Sequence, residues 1–320
     1  MLSHIHILGI PLPMYSVMLA LGIAAFLALY FLAFRREYKS DRVTFNRLSF
    51  TVLISIVALG FFAFLFDALF HSLKEGRLVA GGITWLGGVA GAFPAILILT
   101  HFLVPKKRGY ALDVLDTLVP GLALAHAFGR VGCFLGGCCF GKTTASPLGV
   151  VFPEGSIAEK LYPNPLADGS LPVLPTQLFE AVFELLVFTL LILLSRRTRR
   201  FNTAIWSIAY AVFRFVLEFL RGDDRGATAL PASPAQVLSI LLFVFGILAL
   251  LLRLGYAPKR LTARISAWQT EADALPVTPY AAAAVKEIGD RLRELSKLRD
   301  EGIVTEEEYE TKKKEILERL

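Results

Sequence analysis

Residues 126–144 read HAFGRVGCFLGGCCFGKTT. They close an apolar run that begins at residue 111, and they carry an arginine, all 3 cysteines of the chain and a spread of glycines. The run is long enough to cross about 30 Å of hydrocarbon as a helix rising 1.5 Å per residue. A fixed positive charge therefore sits near one end of a spanning helix. Six further runs of similar length flank it, at about 14–34, 49–70, 79–104, 175–195, 203–221 and 235–254. Of the 320 residues, 55% are hydrophobic and 19% charged, against about 45–50% apolar in a soluble domain. These features predict an all-α polytopic membrane protein with seven transmembrane helices.

No Lys or Arg precedes the first run, and Arg35, Arg36, Lys39 and Arg42 follow it. That is the pattern of an anchor, not of a cleaved signal peptide. Basic residues also crowd 105–110, 195–202 and 253–264, whereas the connections between them hold few. Lys and Arg mark the cytoplasmic side, so the N-terminus is expected outside, the C-terminus inside, and residues 142–174 in an outward-facing head. The net charge of +6 follows from this bias and calls for no nucleic-acid partner.

Past residue 254 the composition changes. Residues 255–284, with Pro258, Pro276 and Pro279, read as a linker, and residues 285–320 as a cytoplasmic helical hairpin. Ile288, Leu292, Leu295 and Leu298 recur at helical spacing, and Gly302 ends the first helix. Thr305 with Glu308 makes a capping box for the second, along which Tyr309, Lys313, Ile316 and Leu320 share one side. The pattern resembles the short C-terminal (SHOCT-like) oligomerisation modules of bacterial proteins, which implies self-association; a solvated hairpin fits the same residues.

Ionisable residues inside spanning helices cost about 2.5–3.5 kcal/mol each at the centre, so they mark function more often than in soluble cores. In the sixth run Tyr210, Arg214, Glu218 and Arg221 fall on one helical face. Glu218 can neutralise Arg214, which leaves Arg130 and Arg221 over and implies an anion from outside the chain. At that depth the natural anion is a phospholipid headgroup, with the planar forks of Arg130, Arg214 and Arg221 clamping its phosphate. In the fifth run Gln177, Glu180 and Glu184 share a face, and Glu180 reads equally as a surface carboxylate near the interface. Asp67, Asp113 and Asp116, near helix ends, read as interfacial or capping groups. The glycines of GGITWLGGVAG, residues 81–91, predict close helix packing.

Four ordered motifs carry a family likeness. GRVGCFLGGCCFG (129–141) resembles the GRxGNFxNxExxG signature of bacterial prolipoprotein diacylglyceryl transferases. GGITWLGGVAG, LPTQLFE and YAVFRFVLEFLRGDD are similar to that family's GGxxFHGGxxG, HPTQLYE and YxxxRFxxEFxR. The likeness spans residues 14–254. It implies transfer of the diacylglyceryl group of phosphatidylglycerol to the cysteine thiol of a lipoprotein signal peptide. Glycerol phosphate is released, at the outer face of the bacterial cytoplasmic membrane. Residue by residue it implies catalytic roles for Arg130, Arg214, Glu218 and Tyr210, with Glu218 orienting Arg214 and Tyr210 donating to the headgroup. It also implies lipid contacts for Arg221, Gly132, Gly141, Gln177, Glu180 and Tyr15. The donor is anionic and membrane-resident, so no soluble cofactor is needed. A divergent transferase with another acceptor, or a phospholipid-binding protein without catalysis, are the alternative readings.

This chain departs from the pattern where protons move. The histidine of HGG is Leu86, the histidine opening HPTQ is Leu174, the signature asparagine is Cys133 and the signature glutamate is Cys138. His126, four residues before Arg130, is the replacement base on offer. Cys133, Cys138 and Cys139 read as structural thiols, as a disulfide in an oxidising compartment, or as a nucleophile. No metal is expected, because C-x4-C-C lacks a C-x2-C pair and has only His126 as a fourth ligand.

Overall fold

The computed structural model describes residues 4–7, 10–79, 82–104, 110–193, 199–223, 226–228, 230–256, 292–301 and 304–317. A hairpin of two four-residue strands, β1 (His4–Ile7) and β2 (Ile10–Pro13), opens the chain. It is too short to leave a periodic signal, and the sequence reading has no strand there. Seven helices among the described residues are long and apolar enough to span a membrane. They are α1 (Met14–Ser40), α2 (Arg42–Glu75), α3 (Trp85–Leu103), α4 (Tyr110–Leu135), α6 (Thr176–Leu193), α7 (Asn202–Leu217) and α8 (Pro234–Arg253). The chain is a multi-pass membrane protein. Short 3-10 turns, Arg199–Phe201 and Glu218–Leu220, extend α7 at both ends. A small helix, α5 (Ile157–Leu161), lies within residues 142–174. The C-terminal hairpin comprises α9 (292–300) and α10 (Glu306–Leu317).

Helix ends follow local chemistry. The basic connection expected over 35–48 is helical on both sides and breaks only at Asp41, whose carboxylate accepts from Thr44 N–H at 3.0 Å to start α2. Gly76, left-handed at φ 66°, ends that helix. Ser233 and Gln236 form a reciprocal capping box around Pro234 at the start of α8. The expected box of Thr305 and Glu308 is present, with Thr305 N–H donating to Glu308 Oε2 at 3.0 Å. Most of the linker, together with Ile288, Gly302 and Leu320, lies outside the described residues.

Helix α4 is central, packed against α1, α3, α6 and α7. The glycines of α3 act as the sequence predicts. A Cβ on Gly87 would lie 2.6 Å from Phe66 Cβ, and one on Gly88 would lie 2.8 Å from the Leu59 carbonyl oxygen, so larger residues would part α2 from α3. Asp67 of α2 is buried and accepts from Gly82 N–H at 2.6 Å, pinning the segment that enters α3. Residues 142–174 cover one end of the bundle, called here the head end, around a second small core of Phe140, Phe152, Ala158 and Val173.

At the opposite end a buried polar junction joins three helices. Asp116 of α4 accepts from Thr203 N–H of α7 at 2.7 Å and pairs with Arg253 of α8 at 2.5 Å, and Asp113 adds a second contact to Arg253 at 2.8 Å. Asp116 is thus a buried junction rather than an interfacial group. Asp116→Ala leaves Arg253 and a backbone N–H underpaired at a buried site. It is expected to destabilise the bundle by about 3–5 kcal/mol, seen as a lowered midpoint of thermal unfolding in detergent; an unchanged midpoint would remove the junction from the account.

Candidate active site

Three one-turn ladders converge at the head end of the bundle. Helix α4 supplies His126 and Arg130, α6 supplies Glu180 and Glu184, and α7 supplies Trp206, Tyr210 and Arg214. Residues four apart share a helix face, so each ladder presents its polar groups to the other two. All seven are buried, and Glu180 and Glu184 are 0% exposed. The reading of Glu180 as a surface carboxylate is therefore overturned: it is the hub. Its Oε1 accepts from the Tyr210 hydroxyl at 2.6 Å, and its Oε2 lies 2.8 Å from Arg130 Nε. Arg214 Nε approaches to 3.9 Å. Tyr210 gives its O–H to Glu180, where the sequence reading has it donating to a headgroup.

His126 is held on both nitrogens. Arg130 Nε, which can only donate, meets Nε2 at 3.0 Å, so Nε2 must be the acceptor and Nδ1 must carry the proton it gives to Glu184 Oε1 at 2.8 Å. Trp206 Nε1 donates to the other Glu184 oxygen at 3.0 Å, and the Trp85 ring stacks on the imidazole at 4.0 Å. An imidazole so engaged has no free lone pair, which is at odds with a general base. Its geometry is that of a strut behind Arg130.

The expected surplus of cation is also corrected. Arg214 Nη1 donates to Glu218 Oε2 at 2.6 Å, and Arg221 forms a bidentate pair with Asp223, 2.7 Å for each bond. With Glu180 against Arg130, each arginine has a carboxylate. What remains is not charge but donors. A guanidinium has five N–H groups, and no hydrogen-bond acceptor among the described residues meets the two terminal nitrogens of Arg130. Arg221 Nη1 is buried without a hydrogen-bond partner. Arg130 and Arg214 line a cavity of about 20 Å³ together with Thr84, Trp85, Leu86 and Tyr210. Trp85 also borders an apolar cavity of about 150 Å³ among α1 to α4, and Leu86 borders another of about 170 Å³ between α3 and α8.

The remaining sequence candidates support rather than line this cavity. Gly132 lets α1 approach α4: a Cβ there would lie 3.3 Å from Tyr15 Cα. Gly141 threads between Leu174 and Leu220, where a Cβ would meet the Leu220 carbonyl at 2.7 Å. Both glycines are positions of close packing. Gln177 donates to the Cys138 carbonyl at 2.7 Å, and Thr176 to that of Cys139 at 3.0 Å. These two bonds fix the cysteine loop.

That loop is a helix ending. Cys138 N–H returns to the Cys133 carbonyl at 3.1 Å and Gly137 N–H to that of Phe134 at 3.2 Å, with Gly137 at φ 68°. This is a Schellman motif, which folds the residue after the glycine back over the helix. No disulfide joins the three cysteines, and their sulfurs lie within 4.8 Å of one another. A hydrogen bond with Cys133 holds the Cys138 thiol down, but its bond with Cys139 and its burial together push it up to about 12. At that value the Cys138 thiol is protonated at neutral pH.

Residues 3–252 match the profile described as prolipoprotein diacylglyceryl transferase. The chain belongs to the prolipoprotein diacylglyceryl transferase family. Among its relatives is phosphatidylglycerol–prolipoprotein diacylglyceryl transferase 2 of Clostridium perfringens, 31% identical over 249 residues, 76% of this chain and 91% of the relative. The enzyme of Clostridium tetani is 31% identical over 250 residues, 75% and 92% of the two chains. That of Geobacter sulfurreducens is 31% identical over 248 residues, 73% and 87%. Residues 290–317 match the profile of the short C-terminal domain. In this transferase-family chain Leu86, where the resemblance has a histidine, borders the same cavity as Arg130 and Arg214. Sequence reasoning passed over Trp85 and Trp206 and gave Glu184 no role. Trp206 extends the 210, 214, 218 spacing by one more turn, and Glu184 does the same for 177 and 180, which is the signal that could have found them.

Proposed function

We propose that this family member transfers the diacylglyceryl group of phosphatidylglycerol to the cysteine thiol of a lipoprotein signal peptide, its lipobox, and releases glycerol phosphate. One observation carries the reading: Arg130, whose terminal nitrogens meet no acceptor among the described residues, lines with Arg214 a cavity that shares Trp85 with one apolar cavity and Leu86 with another. A phospholipid has the same layout, with an anionic phosphate beside two acyl chains. The reaction displaces phosphate from a glyceryl carbon, and the departing oxygens gain negative charge. Preorganised guanidinium donors in a water-poor site oppose that charge where it develops. Arg130 and Arg214 are the catalytic residues, with Arg221 as a further phosphate contact. His126, Glu180, Glu184, Glu218 and Tyr210 position the guanidinium groups, and Tyr15, Gly132, Gly141 and Gln177 position the helix end that carries them.

The bias of Lys and Arg supports an N-terminus outside, a site toward the outer face of a bacterial cytoplasmic membrane, and residues 285–320 in the cytoplasm, where that hairpin self-associates. No nucleic acid takes part. Purified full-length protein, phosphatidylglycerol and a lipobox peptide test the reading. Glycerol phosphate is expected to appear in step with peptide that has gained one diacylglyceryl mass. Lipid binding with an unmodified peptide would sink the assignment in favour of another acceptor or of binding alone.

A further inference from the structure

We propose that Cys133, Cys138 and Cys139 bind one zinc ion as thiolates, and that its fourth position takes the acceptor thiol; the proposal rests on the transfer reading above. Among the described residues these are the one trio of His, Cys, Asp or Glu ligand atoms drawn so closely together, within 4.8 Å. Tetrahedral sulfurs about 2.3 Å from zinc sit about 3.8 Å apart. Closure on an ion therefore needs side-chain adjustment of about an ångström and no rearrangement of the fold.

The backbone is already set for it. The Schellman turn brings position 138 over position 133, so C-x4-C acquires the proximity that C-x2-C has in other metal sites. Cys139 takes a left-handed φ of 65°, rare for a residue with a side chain, and this turns the third thiol toward the other two. Gln177 and Thr176 clamp the carbonyls of Cys138 and Cys139, as a ligand set held before the metal arrives requires. His126, the fourth ligand that spacing offered, is engaged by Glu184 and Arg130. Three protein ligands leave a tetrahedral zinc one further position, as in catalytic rather than structural zinc sites.

The chemistry meets a need of this chain, which has leucine at both positions where the family resemblance has histidine. The acceptor S–H binds zinc as a thiolate and its proton passes to water. The sulfur then forms a bond to the glyceryl carbon while the carbon–oxygen bond to phosphate breaks. The electron pair leaves on glycerol phosphate, which departs as the dianion against Arg130. The thioether formed is a weaker ligand than thiolate and is released. Nothing is oxidised or reduced, and zinc, a d10 ion without redox chemistry, suits an oxidising face of the membrane.

The test uses the full chain in detergent, loaded with zinc ions and freed of loose metal. One zinc per chain is expected, with three sulfur neighbours at about 2.3 Å in X-ray absorption. A lipobox peptide raises the sulfur count to four, and the same peptide with serine for cysteine does not. Cys139→Ser lowers zinc affinity about tenfold or more, and chelator-stripped protein loses transfer until zinc is returned. Failure of the unaltered chain to retain zinc, a disulfide among the three cysteines in protein alkylated directly in membranes, or undiminished transfer by stripped protein overturns the proposal. If zinc and the peptide sulfur bind but no thioether forms, the metal site stands and the transfer reading falls.

Discussion

Arg130→Lys is expected to lower diacylglyceryl transfer about 10²- to 10³-fold, the usual consequence of removing a preorganised donor from a developing oxyanion. Charge is kept in this variant, so the loss isolates geometry. Arg130 meets His126 and Glu180 through Nε alone, at 3.0 and 2.8 Å, which leaves both terminal nitrogens for a ligand. An ammonium group has a single nitrogen and cannot occupy the Nε position and the two terminal positions at once. Transfer assayed over a range of phosphatidylglycerol concentrations checks this. The loss should fall mainly on kcat, since the donors matter most when phosphate departs. A lysine variant within threefold of the parent would show that positive charge suffices and that the fork has no special part. Arg130→Ala should be worse in a second way, because Glu180 is then left buried with Arg214 no nearer than 3.9 Å.

The spans were legible because a bilayer demands long apolar helices, of about 17 to 25 residues. Their ends were less so. The basic residues after the first span read as a loop, yet α1 continues to Ser40 and α2 resumes at Arg42, since lipid-facing hydropathy says nothing about where a helix stops in water. At the site, sequence spacing put Tyr210, Arg214, Glu218 and Arg221 on one face, but the helix ends before Arg221, whose backbone is extended. The pairing of Arg130 with Glu180, 50 residues apart in the chain, is a tertiary fact that no local period encodes. Counting charges within one helix therefore left a surplus that the next helix removes. The cysteines show the same limit from the other side. C-x4-C-C argues against a shared site until Gly137 at φ 68° is recognised as the turn that brings Cys138 back onto Cys133.

Glu180→Gln should have the largest effect on the fold of the site. A carboxylate can only accept, and here it faces the Tyr210 O–H, Arg130 and Arg214. Glutamine keeps one acceptor oxygen and turns an NH2 toward a neighbouring donor, leaving guanidinium charge without its counterion in a buried cluster. Removing one partner of such a pair costs about 3–5 kcal/mol. A large drop in the thermal unfolding midpoint in detergent is expected, together with loss of transfer. Glu184→Gln is the milder comparison, since its partners, His126 and Trp206, carry no fixed charge. The two readouts separate in the double variant Arg130→Met with Glu180→Leu. Apolar isosteres that replace both members of a buried pair often restore stability, so the midpoint should recover while transfer does not. If Glu180→Gln unfolds at the temperature of the parent, the hub carries no structural weight. If the double variant transfers lipid, Arg130 does not bind the phosphate.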